Sequence, residues 1–292
     1  MVEADVPVRY MERTRHYYRA LGYASDYGWA SFADVPFAQL PKPLSQTRIA
    51  FVTTSSPPDF DGVKRVWSGA TSPPPQRLFT DNVAWDKEST HTNDRASFLP
   101  IEAASELAGE GIFAGLTTHF HGVPTEYSQR KTKAEDAPEI LARVRKDGAD
   151  AAILCPLCPV CHQTVSLVAR HLEANGIPTV IIGSALDVVE HCGVPRFYFT
   201  DFPLGNPCGH PWRPDMQRDI VRAALGLFEA AKAPRTTVKA PFAWKEDGAV
   251  WRARYGRVDP ADRERLLKLG DERRLQRAKA KQILSKKASS DA

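Results

Sequence analysis

Between Ile101 and Ile182 helix-like and strand-like segments alternate so regularly that few architectures accommodate them. The patterning predicts a helix over Ile101 to Gly109, a strand over Ile112 to Thr118, a helix over Ala137 to Lys146 and a strand over Ala151 to Leu154. A helix over His162 to Asn175 and a strand over Thr179 to Ile182 follow. Gly148 and Gly176 stand where helix C-caps belong, each a few residues ahead of a strand. Strands separated by helices of this length form βαβ units, so the expectation is an α/β protein: a Rossmann-like, doubly wound, mostly parallel sheet with helices on both faces. Arg48 to Thr54 adds a buried strand, Phe197 to Phe199 a strand-like run, and Met216 to Lys232 an amphipathic helix opened by Pro214-Asp215.

The flanks are less regular. Tyr10 to Leu44 is aromatic and broken by Pro36, Pro41 and Pro43, which fits a helix followed by a strap packed on the core. Asp59 to Asn93, with Ser72-Pro-Pro-Pro75, is polar and irregular, either a lid or an insertion. Residues 1–240 are expected to form one α/β domain with an N-terminal strap, and 241–292 a basic helical C-terminal extension. From Ala261 onward ten Lys/Arg face five acids, so this tail carries the excess behind a net charge of +4. Mixed charges at helical spacing are a solvated face first, and nothing else in the chain has the basic body or motif of a nucleic-acid binder. No run reaches the roughly 18 apolar residues of a membrane span, and Met1 to Arg15 is charged where a signal peptide is apolar. A cytoplasmic protein, forming a homo-oligomer, is expected.

Five cysteines, three of them in Cys155-Pro-Leu-Cys158-Pro-Val-Cys161, suit a reducing compartment better than a disulfide-stapled fold. The run lies between a strand end and a helix start, the sheet edge where ligands bind in α/β proteins. Unpaired N–H groups and the dipole at a helix start favour a thiolate. Cys161, next to the helix, is expected to be the attacking thiolate, and Cys158, three residues upstream, the thiol that resolves a mixed disulfide. Cys155 is a third thiol for relaying electrons or binding a soft ligand. The same spacing also suits zinc or an iron–sulfur cluster if Cys192, Cys208 or a histidine joins it, so a metal role stays open.

Other candidates are His119 and His121, which point the same way on an extended segment and are expected at the same sheet edge as the cysteines. Thr164 and Gln163 stand in the first turn after Cys161, and Asp201 and His210 follow the Phe197 run. Phosphate-cradling glycine patterns and a Gly-x-Ser-x-Gly elbow are absent from the sequence, which argues against nucleotide binding and serine hydrolysis.

Cys158 to Val180 resembles the redox motif of the glycine/sarcosine/betaine and D-proline reductase selenoprotein B family. The resemblance extends to Val52-Thr-Thr54, Thr90 to Asp94, Leu99-Pro-Ile101, Gly115 to His121 and Phe202 to Pro207, and so covers roughly residues 10 to 232. It implies that Cys161 holds the position of the attacking selenocysteine or cysteine and that Cys158 closes the bond to it. It further implies reductive cleavage of a carbon–heteroatom bond, C–N or C–S, of a small polar substrate, with a pyruvoyl group on a separate subunit activating an amine. A thioredoxin-like protein or small thiol is expected to restore the dithiol, and no cofactor intrinsic to this chain is expected. The chain departs from the pattern in carrying cysteine where the best-known members carry selenocysteine. It also lacks a Thr-Cys or Ser-Cys processing site, so a pyruvoyl group must come from a partner. A subunit without activity of its own is the remaining alternative.

Overall fold

A computed structural model describes residues 6–244, 250–272 and 274–275. Its centre is β1 (Arg48–Thr53) beside β5 (Ala151–Cys155), in which every residue but Arg48 is buried. Strands covered on both faces are apolar throughout, not alternating. Around them lie β2 (Trp67–Ala70), β3 (Gly115–Leu116), β4 (His119–Gly122), β6 (Thr179–Gly183), β7 (Arg196–Phe199) and β8 (Thr236–Lys239). The sheet order is β2-β4-β1-β5-β6-β7-β8, with β3 also on β1. All pairings are parallel except that of β2 with β4 at the edge.

The helices are α1 (Tyr10–Ala20), α2 (Ile101–Gly109), the short α3 (Gln129–Lys131), α4 (Ala137–Lys146), α5 (Pro159–Ala174), α6 (Leu186–Cys192), α7 (Pro214–Ala230) and α8 (Trp251–Arg254). A π turn, Thr132–Asp136, joins α3 to α4. Alternate strand residues face two cores: Ile49, Phe51 and Ile153 pack with α2 and α7, whereas Ala50, Val52 and Leu154 pack with α4 and α5. The expected α/β fold, mostly parallel and wound on both faces, is what forms.

The chain leaves β1 for β4 on one side and returns to β5 on the other, from which β6, β7 and β8 continue outward. The order is flavodoxin-like, and its switch point lies between β1 and β5. Thr53 to Ser56 and Cys155 to Cys158 therefore frame the crevice at the carboxyl edge.

The strap is tied to the second core. Gln163 Oε1 accepts from Ala30 N at 2.7 Å, and Arg196 Nη2 donates to Ala38 O at 2.7 Å. Arg196 and Glu173 are fully buried and paired at 2.9 Å. Thr179 N and its hydroxyl also donate to that carboxylate. The described part of the C-terminal extension packs inward: Trp251 and Leu266 are buried, and Tyr255 meets Tyr10 edge to face. Its residues beyond Leu275 lie outside the described ones, so the helical tail expected there is seen only as far as helical turns over 263–272. Among the described residues no helix is long and apolar enough to cross a membrane.

The structure corrects two boundaries. The strand read over Ile112 to Thr118 divides: only Gly115–Leu116 pairs in β3, and the ladder resumes at His119. The step from Leu116 to His121 covers five residues where β1 advances only three, from Ile49 to Val52, so the ladder bulges between β3 and β4; Gly115, with a φ of +140°, turns the chain into β3. Helix α5 begins at Pro159 and not His162, because proline fits the first helical position and Cys158 serves as its N-cap.

Candidate functional site

The cysteine turn follows directly from β5 and is held by its neighbours. Cys158 Sγ accepts from Cys161 N at 3.2 Å, a helix cap made by sulfur. Leu157 N donates to the Thr54 hydroxyl at 3.1 Å, fastening the turn to the end of β1. Cys161 Sγ lies 3.0 Å from the Thr125 hydroxyl in the loop after β4. Burial pushes the Cys161 thiol up, but hydrogen bonds from Cys158, Thr125 and Thr54 outweigh it, and the thiol comes down to about 7. Burial drives Cys158 the other way, well above the ordinary range, so of the two sulfurs Cys161 is the one whose surroundings favour the charged form.

His162, which the sequence marks only as a helix start, lies on α5 beside the pair. Its Nδ1 donates to Cys158 O at 2.7 Å, and its Nε2 accepts from Ser184 N at 2.8 Å and Ala185 N at 3.1 Å. The ring thus pins the backbone of Cys158 to the end of β6. Burial holds its pKa down at about 4, so it is neutral with one fixed tautomer. Gly183 makes room for it, since a Cβ there would stand 2.8 Å from Nε2.

Cys158 lines a cavity of about 680 Å³. Its walls include Tyr17 and Tyr18 of α1, Lys64, the 81–88 stretch of the long irregular segment, Thr125 and, from the C-terminal segment, Tyr255 and Arg265. Tyr255 donates its hydroxyl to Ala84 O at 2.9 Å, joining that segment to the loop beside Cys158. Cys161 is fully buried, one layer behind Thr125.

The remaining candidates fall in different places. Cys155 Sγ lies 3.5 Å from Cys208 Sγ and not in the helix cap. Thr164 is buried on α5 with its hydroxyl unpartnered, while Thr54 and Thr125 take the role of donors to Cys161. Gln163 serves the strap through Ala30 and Tyr27. Asp201 is paired with Arg252 at 2.7 Å, and His210 stacks on Trp244. The two histidines do point the same way, as expected, but away from the cysteines. His121 pairs with Val52, which faces α4, and both rings turn to Asp147 at the end of that helix, at 3.1 Å from His119 and 3.6 Å from His121. They lie within a strand and not in the loop beyond it, so the structure does not bring them to the sulfur pair. Burial lowers His121 to about 4. Among the described residues no three His, Cys, Asp or Glu side chains gather as a metal site.

The separated segments that carry the family resemblance meet around this edge. Asn206 receives the Thr90 hydroxyl and donates to His91 O at 3.0 Å, and Cys208 N donates to Ser97 O at 2.9 Å.

Comparison with known proteins agrees. The chain is 34% identical over 147 residues to D-proline reductase subunit gamma of Acetoanaerobium sticklandii, covering 49% of this chain and 60% of that one. It is 24% identical over 230 residues to glycine reductase complex component B subunit gamma of Symbiobacterium thermophilum, covering 74% of this chain and 52% of the relative. The same component from Carboxydothermus hydrogenoformans is 24% identical over 146 residues, half of this chain and a third of its own length. The chain thus spans less than two thirds of each of these relatives. No family model and no solved structure matches it. With the cysteine turn and the segments around it in place, the chain is similar in sequence to the gamma subunits of D-proline reductase and of glycine reductase component B.

Proposed function

We propose that this chain is a subunit of a thiol-dependent reductase, in which Cys158 and Cys161 cleave a C–N or C–S bond of a small polar substrate. The observation that carries the reading is the sulfur pair at the start of α5, set at the switch point and opening through Cys158 onto the cavity. The relatives' names, a reductase subunit and a reductase complex component, support it.

The chemistry is a two-electron reduction. The Cys161 thiolate attacks the electrophilic carbon, a C–S bond forms, and the C–N or C–S bond to the leaving group breaks as that group takes a proton. Cys158 then attacks the Cys161 sulfur; the carbon leaves with the electron pair and is protonated, and a Cys158–Cys161 disulfide remains. A thioredoxin-like protein or small thiol returns the dithiol by exchange. Thr125 and Thr54 hold the charge on Cys161 before attack, and His162 holds the Cys158 backbone in place. Thr125, which lines the cavity and touches the Cys161 sulfur, marks the side from which substrate would approach. The pyruvoyl group that the resemblance implies would activate an amine from a partner subunit, and this chain's part is the sulfur chemistry.

The test is a thiol count and metal analysis on fresh protein, with Cys158→Ala and Cys161→Ala beside the wild type. Mild oxidation should join Cys158 to Cys161 in the wild type, and neither variant should show that link. Stoichiometric zinc or iron, lost in both variants, overturns the reading.

A further inference from the structure

We propose that Cys155 and Cys208 form a second redox dithiol, which reduces the Cys158–Cys161 disulfide from inside the protein; this rests on the reading of the first pair given above. Cys155 ends β5, and Cys208 lies in the loop after β7. These strands are not neighbours, because β6 runs between them. Yet the loop folds back over the carboxyl edge so that Cys208 Sγ meets Cys155 Sγ at 3.5 Å. The loop is held there at several points. Cys208 N donates to Ser97 O, Thr200 donates to Pro207 O at 2.8 Å, and Asn206 donates to Ser97 Oγ at 2.7 Å. Gly205 and Gly209, with φ of +119° and +126°, supply the backbone turns on either side. A disulfide of about 2.05 Å needs an approach of only about 1.5 Å, small beside the Cα range over which such bonds form.

Both sulfurs are fully buried, so an oxidant in solution has no contact with them in the folded state. The accessible sulfur is Cys158, which lines the cavity and stands three residues from Cys155 in the same turn. Oxidising equivalents therefore enter at Cys158 and pass inward. Cys155, as thiolate, attacks Cys158 of the front disulfide; the Cys155–Cys158 bond forms and Cys161 leaves as thiolate. Cys208 then attacks Cys155, its sulfur bonds to that of Cys155, and Cys158 leaves. The protons of Cys155 and Cys208 end on Cys158 and Cys161, and the electron pair has moved from the rear dithiol to the front one. Cys161 suits the first departure, since the hydrogen bonds around it favour its thiolate. The chain would thus carry reducing equivalents for a second turnover.

The experiment uses the full chain, fully reduced without oxygen and titrated with oxidised glutathione. Samples are quenched in acid, alkylated and mapped by mass spectrometry. The wild type should take up about two disulfide equivalents, giving both the Cys158–Cys161 and the Cys155–Cys208 peptides, with Cys192 alkylated. Cys208→Ser, checked for folding by circular dichroism, should take up about one equivalent and keep the front link. The Cys158→Ser, Cys161→Ser double variant should leave Cys155 and Cys208 reduced while folded. The proposal is overturned if the wild type takes up one equivalent with Cys155 and Cys208 still reduced, or if the rear link forms as fast without the front pair. A failure of the front link in Cys208→Ser sinks instead the reading of the first pair.

Discussion

At the scale of single residues, the charge on Cys161 depends on two hydroxyls that come from the ends of β1 and β4, just beyond the strands. Thiolate absorbance in the ultraviolet should rise with a midpoint near 7 in the wild type. Thr125→Val should move it upward by about one pH unit, since a hydrogen bond to a charged group contributes about 1.5–3 kcal/mol and one unit is about 1.4 kcal/mol. An unchanged midpoint would remove Thr125 from the account. The sign for stability follows from the same shift. The folded value lies below the ordinary thiol value of 9, so this ionisation stabilises the fold above about 9 and the contribution is lost as pH falls through about 7. The cysteines were legible in the sequence because their spacing is local. Thr125 and His162 were not, since what gives them their roles is a contact across the sheet edge. The two histidines were misplaced for a related reason: a strand boundary off by a few residues moves side chains from the loop into the ladder.

At the scale of elements, α5 is set by its first turn. His162→Phe keeps the volume but strands the buried amides of Ser184 and Ala185, while Cys158 O keeps the backbone N–H of residue 162. The loss should be roughly 2–5 kcal/mol, at 1–3 kcal/mol for each unsatisfied group with partial relaxation, read as a lower midpoint in urea. The same variant should also slow formation of the Cys158–Cys161 link, because the sulfur positions are no longer fixed. A link formed at the wild-type rate would leave His162 a purely structural group. Gly183→Ala should reproduce the first effect in weaker form, as its Cβ pushes against the ring. The alternation of α2, α4, α5, β5 and β6 was readable because period and length agree along each segment. The division of β3 from β4 was not, because it depends on the register against the middle of β1, where the step from Leu116 to His121 faces the shorter step from Ile49 to Val52.

At the scale of the whole molecule, the buried Glu173–Arg196 pair joins α5 to β7 and, through Ala38, to the N-terminal strap. Arg196→Met should cost roughly 3–5 kcal/mol by leaving Glu173 without its partner, whereas Arg196→Met combined with Glu173→Gln should recover part of the loss. Denaturation of both variants measures the difference, and equal losses would mean that the charge pairing contributes little. The cavity brings together parts of the chain that are far apart in sequence: α1 and the cysteine turn on one side, Tyr255 and Leu266 on the other. This matters during synthesis. A chain emerging from the ribosome folds from its N-terminal end, so β5 and the start of α5 are released well before the segment that carries Tyr255 and Leu266. Until that segment arrives, the wall it provides is missing and Cys158 stands open, so the newborn protein passes through an interval in which its most accessible sulfur depends on the surrounding pool of reductant for protection.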